Sequence, residues 1–261
     1  MTRPSGPLLT ARALRKHYRS GSSAASPALD DVSLAIERGE FVTIMGPSGC
    51  GKTTLLNCLS GLDAPDSGTV VLDGSALTAL TERERSEIRL RRIGFVFQHP
   101  TFLPSLSLLD NIVLPGVLAA MPRRDALARA HRLASVTGID ELADRSVSQL
   151  SGGQLQRAAI CRALINDPVI LFGDEPTGAL NQAAAAEVLA LLSETHRAGA
   201  TLVLVTHDVR VAARSERVLV MRDGSVVSEQ RLGALPEGAL GPSEMNEREE
   251  RLSGWLLGAG V

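Results

Sequence analysis

The segment FVTIMGPSGCGKTTLLNCLS, residues 41 to 60, admits few folds. FVTIM is a continuous apolar run ending in glycine, which reads as a buried strand feeding a loop. KTTLLNCLS then reads as a helix, and the loop between them, GPSGCGKT, matches G-x-x-x-x-G-K-[ST] in full. A strand that enters a helix through such a loop is a unit of a parallel α/β sheet. Gly46, Gly49 and Gly51 let backbone N–H groups curl around phosphate oxygens. Lys52 would reach the outer phosphates and Thr53 would offer its hydroxyl to Mg²⁺, so the run Gly46, Pro47, Ser48, Gly49, Cys50, Gly51, Lys52, Thr53 and Thr54 is the predicted phosphate cradle. A plain connecting turn would have no use for the Lys-Thr pair.

The rest of the chain alternates strand and helix patterns. DVSLAIE alternates Val32, Leu34 and Ile36 against polar positions; GTVVLDG at 68 to 74 and IGFVF at 93 to 97 read as further strands, with the charged TERERSEIRLRR between them as an exposed helix. Helices are expected at 107 to 121, 123 to 136 and 151 to 165. Strands return at VILFG, TLVLVT and RVLVMRDG, separated by an alanine-rich helix at 182 to 196. The order implies a parallel-sheet core with an antiparallel β portion and an inserted helical subdomain at about 99 to 165. SGSSAASP, residues 20 to 27, reads as a flexible turn.

A formal net charge of −2 gives no footprint for nucleic acid or a bare anionic membrane. Cys50, Cys58 and Cys161 are too few and too scattered for a disulfide framework or zinc site, and read as reduced thiols in a cytoplasmic protein. The N-terminal MTRPSGPLLT lacks the apolar core of a signal peptide. LSLLDNIVLPGVLAAM is too short for a membrane span and is broken by Asp110, Asn111 and Pro115, so a membrane role would come through a partner. The chain shows no internal repeat and no long heptad run.

A cradle of this kind needs an acid at the end of a second strand. VILFGDEP supplies Asp174, suited to Mg²⁺, and Glu175, suited to an attacking water. QLSGGQLQRAAICRAL, residues 149 to 164, adds a second helix mouth built for an anion, with a hydroxyl and two glycines. GPSGCGKT, Gln98, LSGGQ at 150 to 154, VILFGDEP and His207, in that order, resemble the ATP-binding cassette (ABC) ATPases over about residues 8 to 230. LSGGQ is the most specific of these, since other P-loop proteins lack it.

The resemblance implies that two cassettes pack head to tail on ATP binding, each LSGGQ capping the nucleotide on its partner's P-loop. Ser151, Gly152, Gly153 and Gln154 would then meet the γ-phosphate of ATP. It implies that Tyr18 stacks on adenine, although a lone Tyr can also be a plain surface residue. Gln98 would sense Mg²⁺ and water, giving Thr53, Gln98 and Asp174 as the metal set. Catalysis would rest on Glu175, His207, Gln98 and Lys52, although a lone His at a strand end is often structural. One departure stands out: the loop after Glu175 reads TGALN, with Asn181 where the family usually has Asp. Asn keeps an acceptor but loses the charge.

GLDAPDSGTV, IGFVFQ, NIVLP and DEPTGAL resemble the bacterial branch serving macrolide export, lipoprotein release and antimicrobial-peptide resistance. That branch implies a separately encoded permease of the FtsX-like, long-periplasmic-loop kind, with the ATPase peripheral on the inner face of the membrane. The apolar cluster Phe102, Leu103, Leu106, Leu108 and Leu109 is either a groove for the permease or the subdomain's own core. Residues 236 to 261 form a tail after a cassette of 1 to 235, and EREERLSGWLLG in it is either an amphipathic helix or disordered.

Beside the transporter subunit stand two other classes and one rival within its own class. An ABC protein acting on ribosomes or DNA usually carries two cassettes or a coiled-coil insert, absent here. A P-loop kinase or GTPase would lack LSGGQ. A signalling complex that moves no cargo is not separable from an exporter by its ATPase.

Overall fold

The computed structural model describes residues 6–18, 27–234 and 241–259. In chain order its main elements are β1 (Leu9–Lys16), β2 (Leu29–Ile36), β3 (Phe41–Met45), α1 (Lys52–Leu59), β4 (Ser67–Leu72), β5 (Ser75–Ala76), α2 (Glu82–Arg92) and β6 (Ile93–Phe97). They continue with α3 (Leu108–Leu118), α4 (Arg123–Val136), α5 (Gly152–Leu164), β7 (Ile170–Asp174), α6 (Gln182–Arg197), β8 (Thr201–Val205), α7 (Val209–Ala212), β9 (Arg217–Arg222), β10 (Ser225–Arg231) and α8 (Pro242–Gly258). The chain forms two compact units, Met1–Thr81 with Val203–Val261, and Glu82–Leu202.

The first unit holds an antiparallel sheet in the order β2-β1-β4-β5 and the strands β10-β9-β3-β8 of a second sheet. β3 is buried along its whole length and pairs in parallel with β9, as expected of a strand covered on both faces. β10 returns antiparallel to β9 through Asp223 and Gly224, both at positive φ, the geometry of a tight hairpin turn. β1 was not evident in the sequence because it bulges: Ala13 sits at φ 50°, its N–H bonds the Ser33 Oγ at 2.8 Å, and the inward alternation is lost at that point. β10 was hidden for another reason, since its SVVSEQR is an edge strand with no fully buried residue.

The described part of the C-terminal tail is helical. Leu252 and Leu256 of α8 pack with Ala212, Ala213, Val218 and Val220. Arg248, 6% exposed, donates to the carbonyls of Ala213, Ser215, Leu232 and Gly233 at 2.6 to 3.0 Å. Burial lowers the pKa of that guanidinium, yet its donors are spread over four acceptors, which offsets desolvation. The turn expected at 20 to 27 lies, except for Pro27, outside the described residues.

In the second unit β6 and β7 pair in parallel, from Ile93 opposite Ile170 to Phe97 opposite Asp174. Helices α3, α4 and α5 share a core of Leu108, Ile112, Ala130, Ala158 and Ile165. Leu108 and Leu109 therefore belong to that core, Phe102 packs partly against it, and Leu103 is 48% exposed. The polar Asn111 is buried because it replaces a turn: its side chain bonds the N–H and carbonyl of Leu103 and the carbonyl of Ser107 at 2.8 to 3.1 Å. Among the described residues no helix is long and apolar enough to cross a membrane.

Candidate functional site

The first unit contains the phosphate loop. Gly46 is buried at φ 148°, and a Cβ there would lie 2.2 Å from the Met221 carbonyl oxygen. At Gly51, φ 102°, a Cβ would lie 2.2 Å from the Ala28 carbonyl oxygen. Both glycines are therefore required by packing, whereas Gly49, at φ 81°, would place a Cβ within 4 Å of nothing. Its glycine serves the turn itself and leaves the loop's outer face open to close approach.

Helix α1 starts at Gly51 without a side-chain cap and without an acidic residue in its first turn, so its first N–H groups and dipole favour an anion. The Lys52 Nζ donates to the Gly46 and Pro47 carbonyls at 2.8 and 2.9 Å, which holds the ammonium across the loop. Thr53 is exposed beside it, and Cys50 is buried with its Sγ 4.0 Å from that Nζ. These features fit a phosphate chain. Ser48 is exposed, Thr54 half-buried, and His207 is exposed just past β8. Asp208 after it caps α7 through the Arg210 N–H at 2.9 Å.

Tyr18 follows β1 with half its surface exposed, and its hydroxyl donates to Asp63 Oδ2 at 3.0 Å. Asp63 Oδ1 also accepts from the Lys16 Nζ at 2.8 Å. Partial burial pushes the Asp63 carboxyl upward, but the hydrogen bonds from Lys16 and Tyr18 outweigh it and hold the group below the usual carboxylate range.

The second unit holds Gln98 and Glu175, two of the predicted water-handling residues, whereas His207 belongs to the first. Phe97 stands opposite Asp174 at the carboxyl ends of two parallel strands, so Gln98 and Glu175 emerge side by side from them. Glu175 sits at φ 47°, a left-handed conformation that is strained for a side chain of this kind and turns the chain sharply after β7. A Cβ on Gly178 would lie 3.0 Å from the Gln98 Nε2 and 3.4 Å from the Glu175 Cβ, so the turn after Glu175 closes directly on Gln98. Among the described residues no three His, Cys, Asp or Glu side chains group to hold a metal by themselves. The amide of Gln98 and the single carboxylate of Asp174 are oxygen donors of the kind that suits Mg²⁺ bound jointly with substrate phosphates.

Ser151 is the N-cap of α5: its Oγ accepts from the Gln154 N–H at 3.3 Å, and Gln154 Oε1 accepts from the Ser151 N–H at 2.8 Å. This capping box fixes the helix mouth while Ser151 and Gly152 stay exposed. Gly153 permits close packing, since a Cβ there would lie 2.8 Å from the Ala184 Cβ of α6. Asn181 caps α6, its Oδ1 accepting from the Ala184 N–H at 2.9 Å. Asn and Asp are about equal in that task, which accounts locally for Asn at this position.

Two contributors escaped sequence reasoning. Gln156, 1% exposed, donates from Nε2 to the Phe97 carbonyl at 2.9 Å, tying α5 to the last residue of β6, just before Gln98. Its signal was a polar residue on the apolar face of α5. Asp63 lay in plain view within GLDAPDSG, but its partners are about 45 residues away, beyond any local pattern.

Comparison with known proteins agrees with this geometry. A family model described as "ABC transporter" matches residues 29–178. The lipoprotein-releasing system ATP-binding protein LolD of Porphyromonas gingivalis is 42% identical over 223 residues, covering 85% of this chain and 100% of that protein. The macrolide export ATP-binding/permease protein MacB of Rhodopseudomonas palustris is 44% identical over 225 residues, covering 86% of this chain. The chain spans about a third, 34%, of the length of that MacB. Among solved structures, the dimeric bacterial ABC transporter cassette MJ0796 superposes with a TM-score of 0.80 at 39% identity, covering 87% of this chain and 100% of that one. The same cassette has also been solved in a post-hydrolysis dimer with ADP and Pi. With a parallel-sheet α/β fold, a complete phosphate loop and a capped LSGGQ helix, the chain belongs to the ABC transporter family as an ATP-binding cassette.

Proposed function

We propose that this chain is the ATP-binding and ATP-hydrolysing subunit of a bacterial ABC transporter of the export type, energising a membrane permease. The carrying observation is a second anion-ready helix mouth, at Ser151 and Gly152, exposed and held by its own capping box. One chain needs one phosphate loop for one nucleotide. A second mouth has a use when it closes over the nucleotide of another copy, and the dimeric form of MJ0796 supports that reading. ATP binding would join two copies, and hydrolysis would separate them.

In this reading a cassette of residues 1 to 235, with a helical subdomain at about 99 to 165, does the chemistry. The glycine-loop amides and Lys52 hold the phosphates, and Tyr18 takes the adenine. Glu175 accepts the proton of the attacking water, while Gln98 and His207 orient that water toward the γ-phosphate. Mg²⁺, held by Thr53, Gln98 and Asp174, would supply charge neutralisation at the phosphate oxygens. Ser151 and Gln154 through their side chains, and Gly152 and Gly153 through their N–H groups, stabilise the γ-phosphate on the partner copy together with the helix dipole.

The names of LolD and MacB support an export or extraction role, and a permease of the FtsX-like, long-periplasmic-loop kind is the proposed partner. The cassette would then sit on the inner face of the membrane, through that permease and not through nucleic acid or lipid. Phosphate release by the purified chain tests the reading. Wild type should hydrolyse MgATP, Glu175→Gln should lose at least about a hundredfold in turnover, and Lys52→Ala should lose nucleotide binding. Near wild-type turnover by Glu175→Gln would remove Glu175 from the mechanism.

A further inference from the structure

The strand end that carries Tyr18 is not free. Asp66 Oδ2 accepts the His17 N–H at 2.7 Å, the Asp66 N–H reaches the Arg15 carbonyl at 2.8 Å, and the Lys16 Nζ donates to Asp63 Oδ1 and the Ala64 carbonyl at 2.8 and 2.7 Å. The Tyr18 ring is fixed in turn at its edge and its face. Its hydroxyl bonds Asp63 Oδ2 at 3.0 Å, and the Lys16 ammonium lies 5.4 Å from the ring centroid.

Asp63 itself is anchored to α1, because its N–H donates to the Asn57 carbonyl at 3.0 Å. Helix α1 starts at the phosphate loop and runs eight residues, about 12 Å. The aromatic face and the phosphate loop are therefore attached to one rigid element, separated by a set distance. Half of the tyrosine surface stays exposed, enough for one planar ligand to stack.

From this juxtaposition we infer that Asp63 is a positioning residue for adenine recognition: it holds Tyr18 and Lys16 in one orientation relative to the phosphate loop, so that base and phosphates are read together. The inference rests on Tyr18 being the adenine platform. Asp63 touches no nucleotide in this scheme and acts through the ring. A carboxylate suits the task because it accepts from a cation and a phenol at once, each bond strengthened by the charge. Preorganising the ring removes the entropy that a freely rotating side chain would lose when the base stacks.

Titration of the full chain with MgATP and, separately, with inorganic tripolyphosphate distinguishes this from a structural role, because tripolyphosphate fills the loop but lacks a base. Tyr18→Ala should weaken ATP about tenfold or more and leave tripolyphosphate within about twofold. Asp63→Ala should weaken ATP about three- to tenfold, again sparing tripolyphosphate. Tyr18→Phe should have a similar, smaller effect that does not add to that of Asp63→Ala. Asp63→Ala losing both ligands equally would mean that it merely supports the fold, and Asp63→Ala losing neither would mean that the ring needs no tether; either result overturns the inference. An unchanged ATP affinity in Tyr18→Ala would instead remove the adenine platform itself, and the inference with it. Should Asp63→Ala fail to fold, Tyr18→Phe alone decides: an ATP affinity equal to wild type overturns the tether.

Discussion

The Nε2 of Gln156 and the carbonyl oxygen of Phe97 meet at 2.9 Å, with Gln156 buried to 1% exposure. This single bond ties the helix that begins at LSGGQ to the residue preceding Gln98. Gln156→Ala should remove this bond from a buried side chain and cost about 0.5–1.5 kcal/mol, lowering Tm by a few degrees. It should also lower the turnover of ATP more than it raises KM, since Gln98 loses its support while the phosphate loop does not. Steady-state kinetics beside a thermal melt check both parts.

The glycines of the phosphate loop separate by mechanism. Gly46→Ala drives a Cβ into the Met221 carbonyl and should prevent stable folding. Gly49→Ala meets no atom within 4 Å and is strained only by its φ of 81°, so it should fold at a loss of about 1–2 kcal/mol. Its methyl would stand where phosphate approaches, so nucleotide affinity should fall far more than stability. Calorimetric titration and denaturant melts on the two variants give the comparison.

Arg248 is the pin of the C-terminal helix. Arg248→Ala removes four hydrogen bonds to main-chain carbonyls and should destabilise docking of α8 by about 2–4 kcal/mol. Arg248→Lys should rescue little, since an ammonium has three donors on one atom and cannot span four carbonyls. Trp255, the chain's only tryptophan, packs beside Leu252 and Leu256, so its fluorescence reports the release of α8 directly.

Burial raises the Cys58 thiol to about 12 and the Cys161 thiol to about 11. Both should resist alkylation by iodoacetamide at pH 8 in the native protein and react on unfolding, as read by mass spectrometry. The sign of the stability effect follows from the raised values. The protonated thiols contribute fully below the unfolded pKa of about 8.5, and that contribution is lost progressively as pH rises toward 11 and 12. Denaturant midpoints at pH 8 and pH 10 should therefore fall in that order.

The legible part of the sequence was the part in which local chemistry is self-sufficient. The glycines, Lys52 and Thr53 lie next to each other in the chain, and the helices and central strands show in their apolar period, down to Arg123–Val136 for α4. What stayed hidden depends on partners remote in sequence. β1 bulges at Ala13 and is stitched by Ser33; Tyr18 is held by Asp63; Arg248 finds its acceptors in a segment 15 to 35 residues earlier. Asn181 was visible as a departure, and the helix expected at 182 to 196 starts directly after it, so the signal for its task as a cap was present even though only the lost charge was read from it.

In the proposed mechanism Ser151 and its neighbours close over a nucleotide bound to another copy of the chain. Light scattering on size-exclusion peaks of Glu175→Gln, with and without MgATP, tests it most directly. Glu175→Gln should be a monomer without nucleotide and a dimer with it, and a further Ser151→Arg should abolish the shift while leaving ATP binding to each chain intact. A Glu175→Gln chain that remains monomeric with ATP demonstrably bound would mean that Ser151 does not cap the nucleotide of another copy.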